Sequence, residues 1–112
     1  MPAMATLIRT DALRQVGGYD ESLSYEDYDM WLRLAGAGLP FAHCPAVVAH
    51  YRTVSTSMTN SLFIRPTAAH SRSLIHLHDR WMDSGRLRPA QRERFALKIR
   101  DAAYNLFVLE DS

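Results

Sequence analysis

Hydrophobic positions recur at helical spacing in three stretches of this chain, with short apolar runs of another character between them. Ala5-Thr6-Leu7-Ile8 predicts a short strand. Thr10 suits the N-cap of a helix over Asp11 to about Val16, and Gly17-Gly18 stops it. In the next stretch Tyr28, Trp31, Leu32 and Ala35 repeat at i, i+3, i+4 and i+7 and form one apolar face. Ser24-x-x-Asp27 is a capping-box pattern, so this second helix is expected from Tyr25 to about Ala35, ended by Gly36 and Gly38. Leu39 to His43 and Ala46 to Arg52 read as extended segments broken at Pro45. Thr53 to Asn60 is polar, without periodicity, and reads as a loop. Leu74, Leu77 and Trp81 return to helical spacing up to Gly85. Pro89 sits well in the first turn of a last helix, with Phe95, Ile99, Ala102 and Leu106 as its buried stripe. The fold class expected from these elements is α/β, short strands with an acidic-start helix, followed by a two-helix hairpin. The change of character near residues 60–66 divides the chain into 1–62 and 63–112.

Composition narrows the picture. A chain of 112 residues with 47% hydrophobic content holds one domain at most and buries a modest core. A formal net charge of +1 points away from nucleic acid and acidic polymers as partners. Cys44 stands alone, so no internal disulfide forms, which fits a reducing, cytoplasmic setting. Met1-Pro2-Ala3-Met4 is not the start of a signal peptide, and no apolar stretch is long enough to span a membrane. Peripheral contact with a membrane stays open.

The chemistry concentrates at the start of the second helix. Asp27 lies on the side of Met30, Trp31 and Leu34, where the helix dipole and backbone N–H groups hold a carboxylate. Asp29 and Arg33 lie opposite, four apart, and are expected to pair in solvent. By spacing alone Asp27 is a helix cap. Asp27-Tyr28-Asp29 spells D-x-D, but residues two apart on a helix point about 200° from each other, so the pair does not converge on one metal ion. Tyr19 is expected to pack and Glu21 to face solvent. Further along, His70, His76 and His78 match no zinc spacing and read as polar helix surface. Cys44 reads as a small buried residue. Arg86, Arg88, Arg92, Arg94, Lys98 and Arg100 form a basic run, read as a solvated helix face.

Gly17-Gly18-Tyr19-Asp20-Glu21, followed by Glu26-Asp27-Tyr28-Asp29-Met30-Trp31-Leu32-Arg33, resembles the acceptor side of family 2 glycosyltransferases, inverting enzymes of the GT-A fold. The resemblance covers residues 4 to 59, about half the chain. It implies transfer of a sugar from a nucleoside diphosphate donor to a hydroxyl acceptor, a glycan or a lipid-linked one, in the making of cell-envelope polysaccharide. It places the catalytic base at Asp27, with Glu26 beside it and Asp20 as an acceptor contact. His50 and Arg52, ahead of a Ser/Thr-rich loop, would face the diphosphate leaving group. The structural alternative makes Arg52 a partner of an acid on the second helix and bonds His50 within a sheet. A divalent cation, Mg²⁺ or Mn²⁺, is implied, held mainly by a nucleotide-binding half expected before residue 1. This segment alone is then expected to be inactive, with an exposed apolar face or the hairpin as a route to homo-oligomers. The competing class is a non-catalytic protein-interaction module, in which the acidic start is only a cap.

Overall fold

A computed structural model describes residues 5–50, 52, 54, 56 and 67–110. Four helices follow in order: α1 Thr10–Gln15, α2 Glu26–Gly36, α3 Ala68–Asp83 and α4 Pro89–Glu110. Contacts divide the chain into two compact units, one of Met1–Ser22 with Glu26–Thr53, the other of Leu23–Tyr25 with Val54–Ser112. The boundary expected at 60–66 lies outside the described residues, as does most of the Thr53–Asn60 loop.

The α/β expectation is overturned, because no strand occurs among the described residues. Ala5–Ile8, Leu39–His43 and 46–50 are irregular. A strand persists only where a neighbour completes its hydrogen-bond ladder and one of its faces is covered. Neither condition is met: Leu7 is 100% exposed, and the adjacent Val47 and Val48 are 82% and 65% exposed, so the expected in–out alternation is absent.

In the first unit, α1 begins at Thr10 with Arg9, not Thr10, in the cap position. It ends in a Schellman motif: Gly18 N donates to Leu13 O at 2.9 Å and Gly17 N to Arg14 O at 3.1 Å. The glycines take φ of +86° and +77°, a region that side-chain-bearing residues enter only at a cost. α2 closes the same way, with Leu39 N on Leu34 O at 3.2 Å and Gly38 N on Ala35 O at 3.0 Å. Its start at Glu26 falls one residue after the expected Tyr25. Its inward side is not the expected one, since Asp29, Met30 and Leu34 are buried while Tyr28, Trp31 and Leu32 are only half-buried and Ala35 is exposed.

The second unit is a helical hairpin, α3 packed along α4. Thr67 caps α3, its Oγ1 accepting from His70 N at 3.3 Å and bonding the His70 ring as well. Gln91 Oε1 accepts from Arg88 N at 2.9 Å and closes the start of α4, with Pro89 at its first position as expected. On α4 Ala102 is buried, and Phe95, Ile99 and Leu106 are half-buried beside it, so the expected stripe is the inner one. Leu23–Tyr25 belongs to this unit. Leu23 is buried, Ser24 N donates to Ser73 Oγ at 3.3 Å, and the Tyr25 ring meets His70 edge-on at 5.6 Å.

His78 is not surface but core, 1% exposed. Its Nδ1 lies 2.7 Å from Leu74 O, which can only accept, so Nδ1 carries the proton; the ring stands edge-on to Phe95 of α4 at 4.9 Å. Burial pushes its pKa below the usual value and the Lys98 charge acts the same way, against the Leu74 hydrogen bond. As pH falls below about 6.5 the unfolded chain takes the proton first. The stability carried by neutral His78 is therefore complete above that pH and lost as the pH drops through the lowered folded value. Melting temperatures followed from pH 7.5 to 5 should fall, and a His78→Leu variant should show a shallower slope. Equal slopes for the two proteins would remove His78 as the cause. Of the other histidines read as surface, His76 is exposed and His70 half-buried.

Candidate active site

The acidic start of α2 and the glycine turn are joined by one side chain that the sequence pattern had assigned to solvent. Arg33 extends from the middle of α2 and uses all three guanidinium nitrogens: Nε donates to Asp29 Oδ2 at 2.9 Å, Nη1 to Val16 O at 2.6 Å and Nη2 to Gly18 O at 2.7 Å. Val16 is the C-cap of α1, so the guanidinium satisfies carbonyls left open at a helix end and sits where the dipole favours a cation. The result is a clamp that fixes the Gly17-Gly18 turn against α2. Asp29 is 0% exposed, so the pair with Arg33 is formed, as the spacing predicted, but inside the protein and not in solvent.

Asp27 behaves differently. It lies in the first turn of α2, half-buried, with Oδ1 accepting from Tyr28 N at 2.7 Å. One backbone N–H thus orients the carboxylate at the start of the helix. Glu26 is also half-buried in the first turn. Burial raises the Tyr25 and Tyr28 phenols above their usual pKa, so both stay protonated through the neutral range. The two aspartates of D-x-D are therefore unequal. Asp29 is buried and held by a cation, whereas Asp27 is anchored by a neutral donor and reachable from solvent. A carboxylate of the second kind can accept a proton from a bound hydroxyl.

On the approach to α2, Asp20 Oδ1 accepts from Ser22 N at 3.1 Å and Ser22 Oγ at 2.5 Å, an Asx-type turn that shapes the path into the helix. Glu21 is exposed as expected, but Tyr19, expected to pack, is 46% exposed. His50 and Arg52 are both exposed. Among the described residues no hydrogen bond or ion pair links either of them to Glu26 or Asp27. The arginine that pairs with an acid of α2 is Arg33, not Arg52. Cys44, expected to be buried, is exposed.

The divalent cation implied by the resemblance does not fit these residues. Asp27 and Asp29 are engaged by a backbone N–H and a guanidinium, and among the described residues no three His, Cys, Asp or Glu side chains are grouped to hold a metal ion. No helix among the described residues is long and apolar enough to cross a membrane.

Residues 3–78 match the family model described as glycosyltransferase-like family 2. The match runs past the sequence resemblance, which stopped at residue 59, into α3. The amylovoran biosynthesis glycosyltransferase AmsE of Erwinia amylovora is 36% identical over 52 residues, which cover 46% of this chain and 20% of that protein. The chain thus spans about a fifth of the length of that relative. No solved structure matches the chain significantly.

Proposed function

The chain belongs to glycosyltransferase-like family 2, and on that premise we propose that it forms the acceptor-side segment of a sugar transferase, with Asp27 as the general base. The reaction is transfer from a nucleoside diphosphate sugar to a hydroxyl with inversion. The base draws the proton from the acceptor hydroxyl as its oxygen attacks the anomeric carbon, and the nucleoside diphosphate leaves from the opposite side. The observation that carries this reading is the contrast within D-x-D. Asp29 is consumed by Arg33, and Asp27 is oriented, half-exposed and set at a helix N-terminus. Glu26 lies next to it as an acceptor contact, and Asp20 holds the turn on which the acceptor side is built. Arg52 and His50 are assigned to the leaving group, and their exposure leaves them accessible to it.

The divalent cation and the nucleotide are held mainly by residues beyond this chain, so the isolated chain is inactive. A glycan or a lipid-linked sugar of the cell envelope is the acceptor class we favour, in keeping with the amylovoran biosynthesis for which AmsE is named. The test is a transfer assay with a panel of nucleotide sugars. It compares the isolated chain with a longer protein that carries it. The expected result is product from the longer protein only. A longer protein that binds no nucleotide sugar and transfers none would sink the proposal and leave a protein-interaction module as the better account.

A further inference from the structure

α4 is 22 residues long, roughly 33 Å, and its Phe95, Ile99, Ala102 and Leu106 side serves the hairpin. The opposite side is exposed, yet it is not uniformly polar. Leu97 is 45% exposed, Tyr104 68%, Phe107 64% and Val108 45%. Ala90, Leu97 and Tyr104 recur every seven residues along its centre, all exposed. Glu93, Arg100 and Phe107 run along one flank, and Arg94, Asp101 and Val108 along the other. Charges of both signs thus border an apolar seam.

We propose that this face pairs antiparallel with the same face of a second copy of the chain, about a two-fold axis beside Leu97. In an antiparallel pair, like flanks face each other, and each residue above the axis meets one about equally far below it. Leu97 then packs on Leu97 of the second copy, and small Ala90 makes room for large Tyr104. On one flank Glu93 meets Arg100 of the second copy. On the other Arg94 meets Asp101. The two-fold repeats both contacts, so every charge along the central seam finds its opposite. Asp101 already accepts from Arg100 of its own chain at 2.9 Å, an exposed pair that the dimer would extend into a network. The charge pattern favours a second copy over an anionic lipid surface, which would attract the arginines but repel Glu93 and Asp101 on the same face. A single helix face lies at the small end of specific interfaces, so the affinity is expected to be micromolar or weaker.

Sedimentation of the full chain from about 10 to 500 μM should show a monomer–dimer equilibrium that weakens with salt. Glu93→Arg with Arg94→Glu places like charges at all four contacts and should weaken the dimer roughly 30-fold or more. Arg100→Glu with Asp101→Arg should do the same. An equimolar mixture of these two double variants restores every opposite pairing and should dimerise again as a mixed pair. All four residues are exposed, and circular dichroism checks that each variant folds. A wild-type chain that stays monomeric at the highest concentration overturns the proposal. So does a dimer indifferent to both variants, or a mixture that remains monomeric. Binding of a monomeric chain to phosphatidylglycerol vesicles, lost on Tyr104→Asp, would assign the face to lipid and overturn it as well.

Discussion

Asp27→Asn should lower the rate of sugar transfer by roughly 10²–10⁴-fold in a longer enzyme that carries this chain, the usual contribution of a general base. The substitution keeps the shape of the side chain, and its amide oxygen can still accept from Tyr28 N, which holds Oδ1 at 2.7 Å in the native protein. What is lost is the capacity to take a proton at neutral pH. Donor affinity should change little, because the donor is assigned mainly to residues outside this segment and not to Asp27. The measurement is kcat, with donor binding followed in parallel. Glu21→Gln, an exposed carboxylate on the same approach, is the control and should leave turnover intact. Asp29 cannot serve as that control, because it is fully buried against Arg33. An Asp27→Asn enzyme with near-native kcat would overturn the assignment of the base.

Arg33→Ala should cost about 3–5 kcal/mol of stability, because it strands a buried carboxylate and opens two backbone carbonyls together. That is a large share of the margin on which a small protein stands. Arg33→Lys should recover only part of the loss. An ammonium keeps the charge but cannot point at Asp29, Val16 and Gly18 at once as a planar guanidinium does. Asp29→Leu with Arg33→Met removes both charges and should be less damaging than Arg33→Ala alone, with Val16 and Gly18 still short of a donor. Urea unfolding of the four proteins gives the comparison. A loss below about 1 kcal/mol for Arg33→Ala would mean that the clamp is no better than an exposed ion pair.

The parts of this molecule legible in the sequence are those governed by local rules. Glycine stops, the first-turn proline of α4 and the Phe95–Ile99–Ala102–Leu106 stripe all depend on neighbours within a turn or two, and they stand where the pattern placed them. The acidic start of α2 was displaced by one residue, within the spread of helix ends. What failed depended on partners far along the chain. Asp29 and Arg33 looked like a solvated pair because both are charged. The carbonyls that let Arg33 sit partly buried belong to Val16 and Gly18, and no spacing rule reaches back that far. His78 was misread for a similar reason, since its apolar surroundings include Phe95 on the following helix. The expected strands failed because β-propensity describes a residue's fit to a sheet, and among the described residues no strand stands beside them as a ladder partner.

The chain enters the hairpin unit for three residues, Leu23–Tyr25, and leaves it again before α2. This bears on how such a protein can be recombined. A single crossover between α2 and α3, the natural place to splice in another relative's hairpin, would separate Ser24 from the Ser73 hydroxyl and Tyr25 from His70. The chimera would inherit a three-residue insert matched to a hairpin it no longer has. A functional exchange needs three breakpoints, one on each side of Leu23–Tyr25 and a third ahead of the hairpin. Substitutions at Tyr25 and His70 should accordingly travel together when the family diversifies, however far apart they stand along the chain.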